Sequence, residues 1–374
     1  MKLLKTDLKN KVLQDMERIL DENRDELLHA NKKDLDAFNR DDQALYDRLV
    51  VDQKKVDQMI QAVKEVRLQD DPVNKEISTR ELDNGLKIIN KTAPFGTIMI
   101  IYESRPDVTI EAAVLAFKAN NKILRKGGKE AYHSNKALVK FWHQALTENG
   151  LSEDFIQFME MDRTQTQEFL RNPDQDLDLI VPRGGERLIA FVKEHAKCAV
   201  LISGRGNNFL YVHKEADWEK SLKVILNAKT HKISACNALD KVLMDTQIDG
   251  YEDKLKELQQ VLTANNVSII VDDEVKKVLA NEDTITDESI WQEEFLAMKC
   301  VIGAVNNIEE AMEKINKNSG GHSASIMTEN NDVAKTFMEN VDCAAVYQNA
   351  STRFTDGGQM GVGAELAIST DKLH

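Results

Sequence analysis

The sequence predicts an α/β protein built on two open parallel sheets, and three observations carry that expectation. Short apolar runs alternate with amphipathic stretches from residue 97 onward. Those runs are apolar throughout rather than at every second position, as strands covered on both faces require. At 374 residues, 42 % of them hydrophobic, the chain is long enough for roughly two domains with cores of their own.

Taken in order, the first 70 residues read as helices. Leu4, Leu8, Val12, Met16 and Leu20 recur at every fourth position, and Leu27, Leu28 and Leu35 extend the stripe among charges. This is a charged helical cover packed on a core. At Leu82-Asp-Asn-Gly-Leu-Lys-Ile-Ile the period changes, and Asn84-Gly85 marks a hairpin with a type I′ turn. Thr97–Tyr102, Lys122–Arg125, Leu177–Val181 and Ala199–Ile202 read as buried strands, with helices over 106–119, 130–149, 183–196 and 216–229. A second series follows Cys236: helix 250–265, strands 267–271 and 299–305, helix 307–317, strand 323–327, helix 331–339 and strand 343–347. No repeat, low-complexity tract or linker interrupts the chain. Two α/β units sharing a rigid interface with a cleft, a usual place for a ligand, are therefore expected.

Charge and cysteine usage exclude several function classes. A net charge of −14 repels polyanions, so neither nucleic acid nor an anionic membrane surface is an expected partner. The N-terminus alternates charge with leucine and shows no apolar signal core. The longest stretch without a charge, Thr92 to Tyr102, falls short of the about 18 residues that a membrane span needs. Cys198, Cys236, Cys300 and Cys343 are far apart and form no C-x-x-C pair, so a zinc site and a disulfide framework are both poor readings. A reducing, cytoplasmic setting fits. The histidines are scattered from His29 to His374, and no metal is expected.

Glycines cluster where strands end, at Gly127-Gly128, Gly184-Gly185, Gly204 and Gly206, Gly320-Gly321 and Gly357-Gly358. Val181-Pro-Arg-Gly-Gly-Glu stands out, because it follows a strand, opens a helix and carries a cation. Backbone N–H groups at such a turn can approach a phosphate, although plain loop turning explains many glycine pairs equally well. No G-x-G-x-x-G follows a strand, so the usual dinucleotide fingerprint is absent. Three cysteines lie in or beside apolar runs, where a thiol acts as a small hydrophobe. Cys236 differs, with Lys229, His231 and Lys232 upstream and small residues around it. Nearby cations and a helix start would favour its thiolate; on these residues alone a buried structural cysteine remains the stronger alternative. His231 and His322 fall in loops, where a lone histidine is usually a solvated or capping residue. Arg105 and Arg353 offer planar forks of donors for a carboxylate or phosphate, with a surface salt bridge as the competing reading.

Six segments occur in order: Ile101-Tyr-Glu-Ser-Arg-Pro-Asp-Val-Thr, Leu124-Arg-Lys-Gly-Gly-Lys-Glu-Ala, His133-Ser-Asn-Lys-Ala-Leu-Val, Val181-Pro-Arg-Gly-Gly, Ala235-Cys-Asn-Ala-Leu and Asn349-Ala-Ser-Thr-Arg-Phe-Thr-Asp-Gly-Gly. Together they closely resemble the γ-glutamyl phosphate reductase (glutamate-5-semialdehyde dehydrogenase) family of the aldehyde dehydrogenase superfamily. The resemblance implies an aldehyde dehydrogenase-like fold: an NADP-binding domain (1–80, 96–232 and 356–374), an oligomerisation hairpin (81–95) and a catalytic domain (233–355). It makes Cys236 the nucleophile and sets Asp107 and Asn237 at catalytic positions. Arg125 and Lys126 then meet the adenosine side of NADPH, Pro182, Arg183, Gly184 and Gly185 face the pyrophosphate, and Glu294 holds the nicotinamide ribose. Arg105, Lys229, His231 and Arg353 are left to grip the substrate. The implied reaction is NADPH-dependent reduction of γ-glutamyl phosphate to glutamate 5-semialdehyde, the second step of proline synthesis from glutamate. A homo-oligomer and functional coupling to glutamate 5-kinase are compatible with it.

Three positions bear on that reading. Leu201 stands where hydrolysing aldehyde dehydrogenases place a glutamate base, which weakens a hydrolytic alternative. Asp107 stands where many relatives have Asn, and an ionised carboxylate cannot donate to an oxyanion. The family chain continues past Lys372-Leu-His with an Ala-Arg-Gly-Pro segment and an intersubunit strand. A shortened, non-catalytic remnant with an unpaired sheet edge and weak self-association is thus the expectation from a different class.

Overall fold

The computed structural model describes residues 2–39, 43–103, 105–184, 186–361 and 366–370. They fall into two compact units, residues 1–202 with 362–367, and residues 203–361 with 368–374. Residues 203–232 thus pack with the second unit. Among the described residues, no helix is long and apolar enough to cross a membrane.

The first unit opens with α1 (Thr6–Glu22), α2 (Arg24–Ala37), α3 (Gln43–Leu49) and α4 (Gln53–Leu68). Val12, Leu13, Met16, Ile19 and Leu20 of α1 are buried together with Val56, Met59 and Val63 of α4, as the apolar spacing required. Strands β1 (Glu76–Glu81) and β2 (Lys87–Lys91) form an antiparallel hairpin exposed on both faces. Its turn differs from the expected type I′. Leu82 O accepts from Gly85 N at 2.8 Å, and only Gly85, at φ +80, enters the left-handed region. Asn84 keeps negative φ and its Oδ1 accepts from Leu86 N, so the loop is a tight turn closed by a left-handed glycine.

The remaining strands, β3 (Thr97–Tyr102), β4 (Lys122–Lys126), β5 (Ile156–Phe158), β6 (Leu179–Arg183) and β7 (Ala199–Val200), form a parallel sheet in the order β5-β4-β3-β6-β7. Helices α5 (Pro106–Lys118), α6 (Tyr132–Glu148), α7 (Arg163–Arg171) and α8 (Glu186–His195) cover it. Alternation divides β3 cleanly. Ile98, Ile100 and Tyr102 join the core formed with α1, α4, α5 and α6, while Met99 and Ile101 face the cluster containing Phe169, Leu170 and Val192. The chain leaves β3 toward β4 and β5, then returns to the other side for β6 and β7. That reversal makes a topological switch point at the carboxyl ends of β3 and β6.

The second unit holds a seven-stranded parallel sheet. Its strands are β8 (Asn208–Val212), β9 (Leu239–Asp245), β10 (Ser268–Val271), β11 (Asp283–Thr284), β12 (Lys299–Val305), β13 (Ser323–Met327) and β14 (Ala345–Gln348), ordered β11-β10-β12-β9-β8-β13-β14. Helices α9 (Trp218–Thr230), α10 (Tyr251–Ala264), α11 (Asp273–Lys276), α12 (Ile308–Asn318) and α13 (Asn331–Asn340) complete it. Since all seven strands run the same way, the segments preceding β8, β9, β12 and β13 converge on one edge of the sheet.

Candidate active site

In the first unit, the residues expected to hold cofactor stand at the carboxyl ends of β4 and β6, beside the switch point. Ile101 pairs with Pro182, Tyr102 with Arg183, and Gly184 follows directly. A Cβ on Gly184 would meet Leu188 Cδ2 at 2.9 Å and Glu103 Oε1 at 3.2 Å, so a larger residue just before α8 would have to push these side chains aside. Gly185 lies outside the described residues. Arg183 reaches Leu366 O at 3.3 Å through Nη1. A doubly wound sheet with a glycine at this turn fits a nicotinamide dinucleotide, even without the glycine-rich fingerprint.

Arg125 and Lys126 must be separated. Arg125 is opposite Ile100 and Lys126 opposite Ile101, so the two side chains face opposite sides of the sheet. Arg125 is 0 % exposed and donates from Nη1 to Thr109 O at 3.0 Å, while its Nε and Nη2 are buried without a hydrogen-bond partner. A side chain sealed beneath α5 offers no exposed donor to a cofactor phosphate, contrary to the role the resemblance implies. Burial pushes this guanidinium down to about 10. Lys126 is half-buried at the strand end and donates to Gly127 O at 2.7 Å, leaving it the better placed cation.

At the start of α5, Arg105 Nη2 pairs with Asp107 Oδ2 at 3.0 Å, and Lys55 Nζ lies 4.0 Å from Oδ1. Burial alone would raise the Asp107 pKa, but Arg105 and Lys55 hold it below the ordinary carboxylate value. It is therefore an acceptor at neutral pH and cannot supply an oxyanion donor.

In the second unit, Cys236 occupies a turn leading into β9 rather than a helix start. Neighbours from two segments fix that turn. Asn208 Nδ2 lies within 2.8 Å of Gly206 O and Cys236 O, and 2.6 Å from Ala238 O. A Cβ on Gly206 would sit 2.6 Å from Cys236 Cα and collide with its carbonyl, so the two backbones touch. Thr352 Oγ1 donates to Asn237 O at 2.8 Å. Asn237 Nδ2 donates to Thr355 O at 2.8 Å and Arg353 O at 3.3 Å. With both amide hydrogens engaged, Asn237 braces the two loops against each other.

Arg353 Nε donates to exposed His231 Nδ1 at 3.4 Å, and Nη1 is buried without a hydrogen-bond partner. Burial lowers the Arg353 pKa, while Asp356 and the Cys236 sulfur raise it, which brings the guanidinium into the electrostatic reach of the thiol. Lys229 departs from expectation: fully buried, it bonds Asp240 Oδ1 and Leu239 O, each at 2.9 Å, and does not reach substrate. Glu294 belongs to the segment before β12, at the same sheet edge.

The other thiols are quiet. Burial pushes Cys300 and Cys343 up to about 11 and raises Cys198 as well. His322 is no solvated loop residue; it is fully buried, lies 2.8 Å from Ser323 Oγ through Nδ1, and burial lowers it to about 4. Sequence reasoning missed Asn208 and Asp240, and it gave Gly206 and Thr352 no bracing role. Their one signal was polar residues inside or beside apolar runs, as in Gly206-Asn-Asn-Phe-Leu and Leu239-Asp-Lys-Val-Leu.

Residues 278–364 match the Aldehyde dehydrogenase family. The γ-glutamyl phosphate reductase of Thermotoga maritima is 40% identical over 369 residues, covering 98% of this chain and 88% of that protein. The enzyme of the same name from Aquifex aeolicus is 39% identical, covering 99% and 87%. The Thermotoga maritima crystal structure superposes with a TM-score of 0.93, covering 99% of this chain and 89% of that one. At that identity over nearly all of its length, the chain belongs to the γ-glutamyl phosphate reductase family of aldehyde dehydrogenase-type oxidoreductases.

Proposed function

We propose that the protein reduces γ-glutamyl phosphate to glutamate 5-semialdehyde, through a thioester on Cys236 and with NADPH, as the second step of proline synthesis from glutamate. The observation that carries this is the Cys236 turn, braced on both sides, with the buried, unpartnered Arg353 Nη1 beside it. A fixed thiol next to a donor fork suits attack on an anionic acyl group.

Cys236 Sγ, as thiolate, attacks the acyl carbon, and the bond from that carbon to the phosphate oxygen breaks. Phosphate leaves with the electron pair, and Arg353 and His231 are assigned to hold it. Bound NADPH supplies the hydride that reduces the thioester. Collapse of the resulting thiohemiacetal returns the thiolate and releases the aldehyde. Lys126 is assigned to the cofactor 2′-phosphate, the β6–α8 turn to the pyrophosphate and Glu294 to the nicotinamide ribose. Arg105, held by Asp107, is assigned to substrate. Leu201 packs against the apolar core of its own unit. Four cysteines, none of them in a disulfide, suit a reducing compartment, so the enzyme is assigned to the cytoplasm.

The test runs the reaction backwards, with glutamate 5-semialdehyde and NADP⁺. One equivalent of NADPH should form as a burst, followed by turnover only when phosphate or arsenate is added; Cys236→Ala should show neither phase. Loss of a positioned base slows hydrolysis by about 10²–10⁴-fold, which sets the expected leak. Sustained turnover in phosphate-free buffer would instead identify a hydrolysing dehydrogenase, and no reaction at all a non-catalytic protein.

A further inference from the structure

We propose that Asp240 and Lys241, consecutive residues of β9, act as a clamp on the Glu293–Phe295 segment and so position Glu294 for the cofactor. This rests on the assignment of Glu294 to cofactor binding made above.

Neighbouring residues of a strand point to opposite faces, yet both of these close on the same three residues. Asp240 Oδ2 accepts from Phe295 N at 2.9 Å. Lys241 Nζ donates to Glu293 O at 2.8 Å and lies 3.7 Å from the centre of the Phe295 ring. The backbone is thus held immediately before and immediately after Glu294. A Coulombic anchor lies beneath, because Asp240 Oδ1 takes Lys229 Nζ at 2.9 Å while both are buried. The next residue, Leu296, sits at φ +48, a left-handed conformation that a leucine adopts only when its surroundings impose it. Lys241 itself is 0 % exposed and cannot act on solvent or ligand directly. Burying an ammonium group is costly, and burial pushes it down to about 8 against the pull of Asp240. Holding a loop for a ligand is a use that its contacts support.

The same strand begins just past Cys236, so the turn bearing the thiol and the segment bearing Glu294 share one support. Neither Asp240 nor Lys241 touches reacting atoms; both are positioning residues.

The experiment is a double-mutant cycle on the whole protein, read by fluorescence titration with NADPH. Lys241→Met keeps the stem volume and leaves the Lys229–Asp240 pair whole, so its fold should survive. Phe295→Leu, which keeps both hydrogen bonds and removes only the ring contact, is the second variant and should show a smaller effect in the same direction. Glu294→Gln and Lys241→Met should each weaken NADPH binding by about tenfold, on the scale of one lost charge-assisted hydrogen bond. The double variant should be no weaker than either single, since both remove the same interaction. Independent losses that multiply in the double variant, or Lys241→Met and Phe295→Leu binding NADPH normally, would overturn the clamp. Normal binding by Glu294→Gln would remove the cofactor role of Glu294 and the clamp with it. Failure of the reductase reading would show differently, as tight NADPH binding in the wild type with no phosphate-dependent reaction.

Discussion

At the scale of single residues, Arg125 and Lys126 show what one position along a strand decides. A run apolar on both faces does not reveal which of two adjacent cations points inward, because each face is covered. The sheet register settles it: Arg125 is in the core with two unpartnered nitrogens, and Lys126 is at the edge. Arg125→Met should therefore raise unfolding free energy by about 1–3 kcal/mol in urea titrations, since it removes a buried charge and two unmet donors. It should leave the NADPH Michaelis constant unchanged, whereas Lys126→Ala should raise that constant and spare the one for NADH. His322 carries a pH dependence of its own. Its folded pKa, about 4, lies below the ordinary 6.5, so the unfolded chain binds more protons between those values. The sign follows: its contribution is complete above pH about 6.5 and is lost as pH falls toward about 4, a span worth about 3 kcal/mol. Comparing wild type with His322→Gln across that window should show a flatter stability profile in the variant; parallel profiles would refute it.

Among elements, those with uniform apolar character were legible, and those that carry buried charge were not. Strands β3, β12 and β13 have the bounds read from the sequence. Strand β9 was missed because Asp240 and Lys241 interrupt its apolar pattern, and β8 has only the four-residue apolar run Phe209–Val212 behind Asn208; yet these polar residues brace the Cys236 turn and the Glu294 segment. The hairpin was recognised from Asn84-Gly85, but its turn type depends on which residues take positive φ, and Asn adopts either sign. Gly206 illustrates contact between elements. Adding one methyl there forces the segment before β8 away from the Cys236 turn. Gly206→Ala should cost about 1–3 kcal/mol by overpacking, and displacing the thiol should lower kcat by about 10²-fold. A variant of normal kcat would show that the turn tolerates the shift.

For the molecule as a whole, strand–helix alternation was enough to read two parallel-sheet units, because each βαβ crossover leaves that imprint. The strand order and the unit boundary were not legible. No change of composition marks Ser203, where the second unit starts, and adjacency in a sheet depends on which faces meet after the chain has folded. The family motifs single out Cys236 and contain Thr352, Arg353 and Thr355, but not Gly206 and Asn208, which brace the same turn from a separate segment. The first unit also includes Leu366 and Ala367, which pack against its apolar core. During synthesis those side chains leave the ribosome only after residues 203–361 have been translated. The amino-terminal half must therefore wait, with part of its hydrophobic surface uncovered, for about 10–30 s at ordinary elongation rates, an interval in which a chaperone would find its binding site.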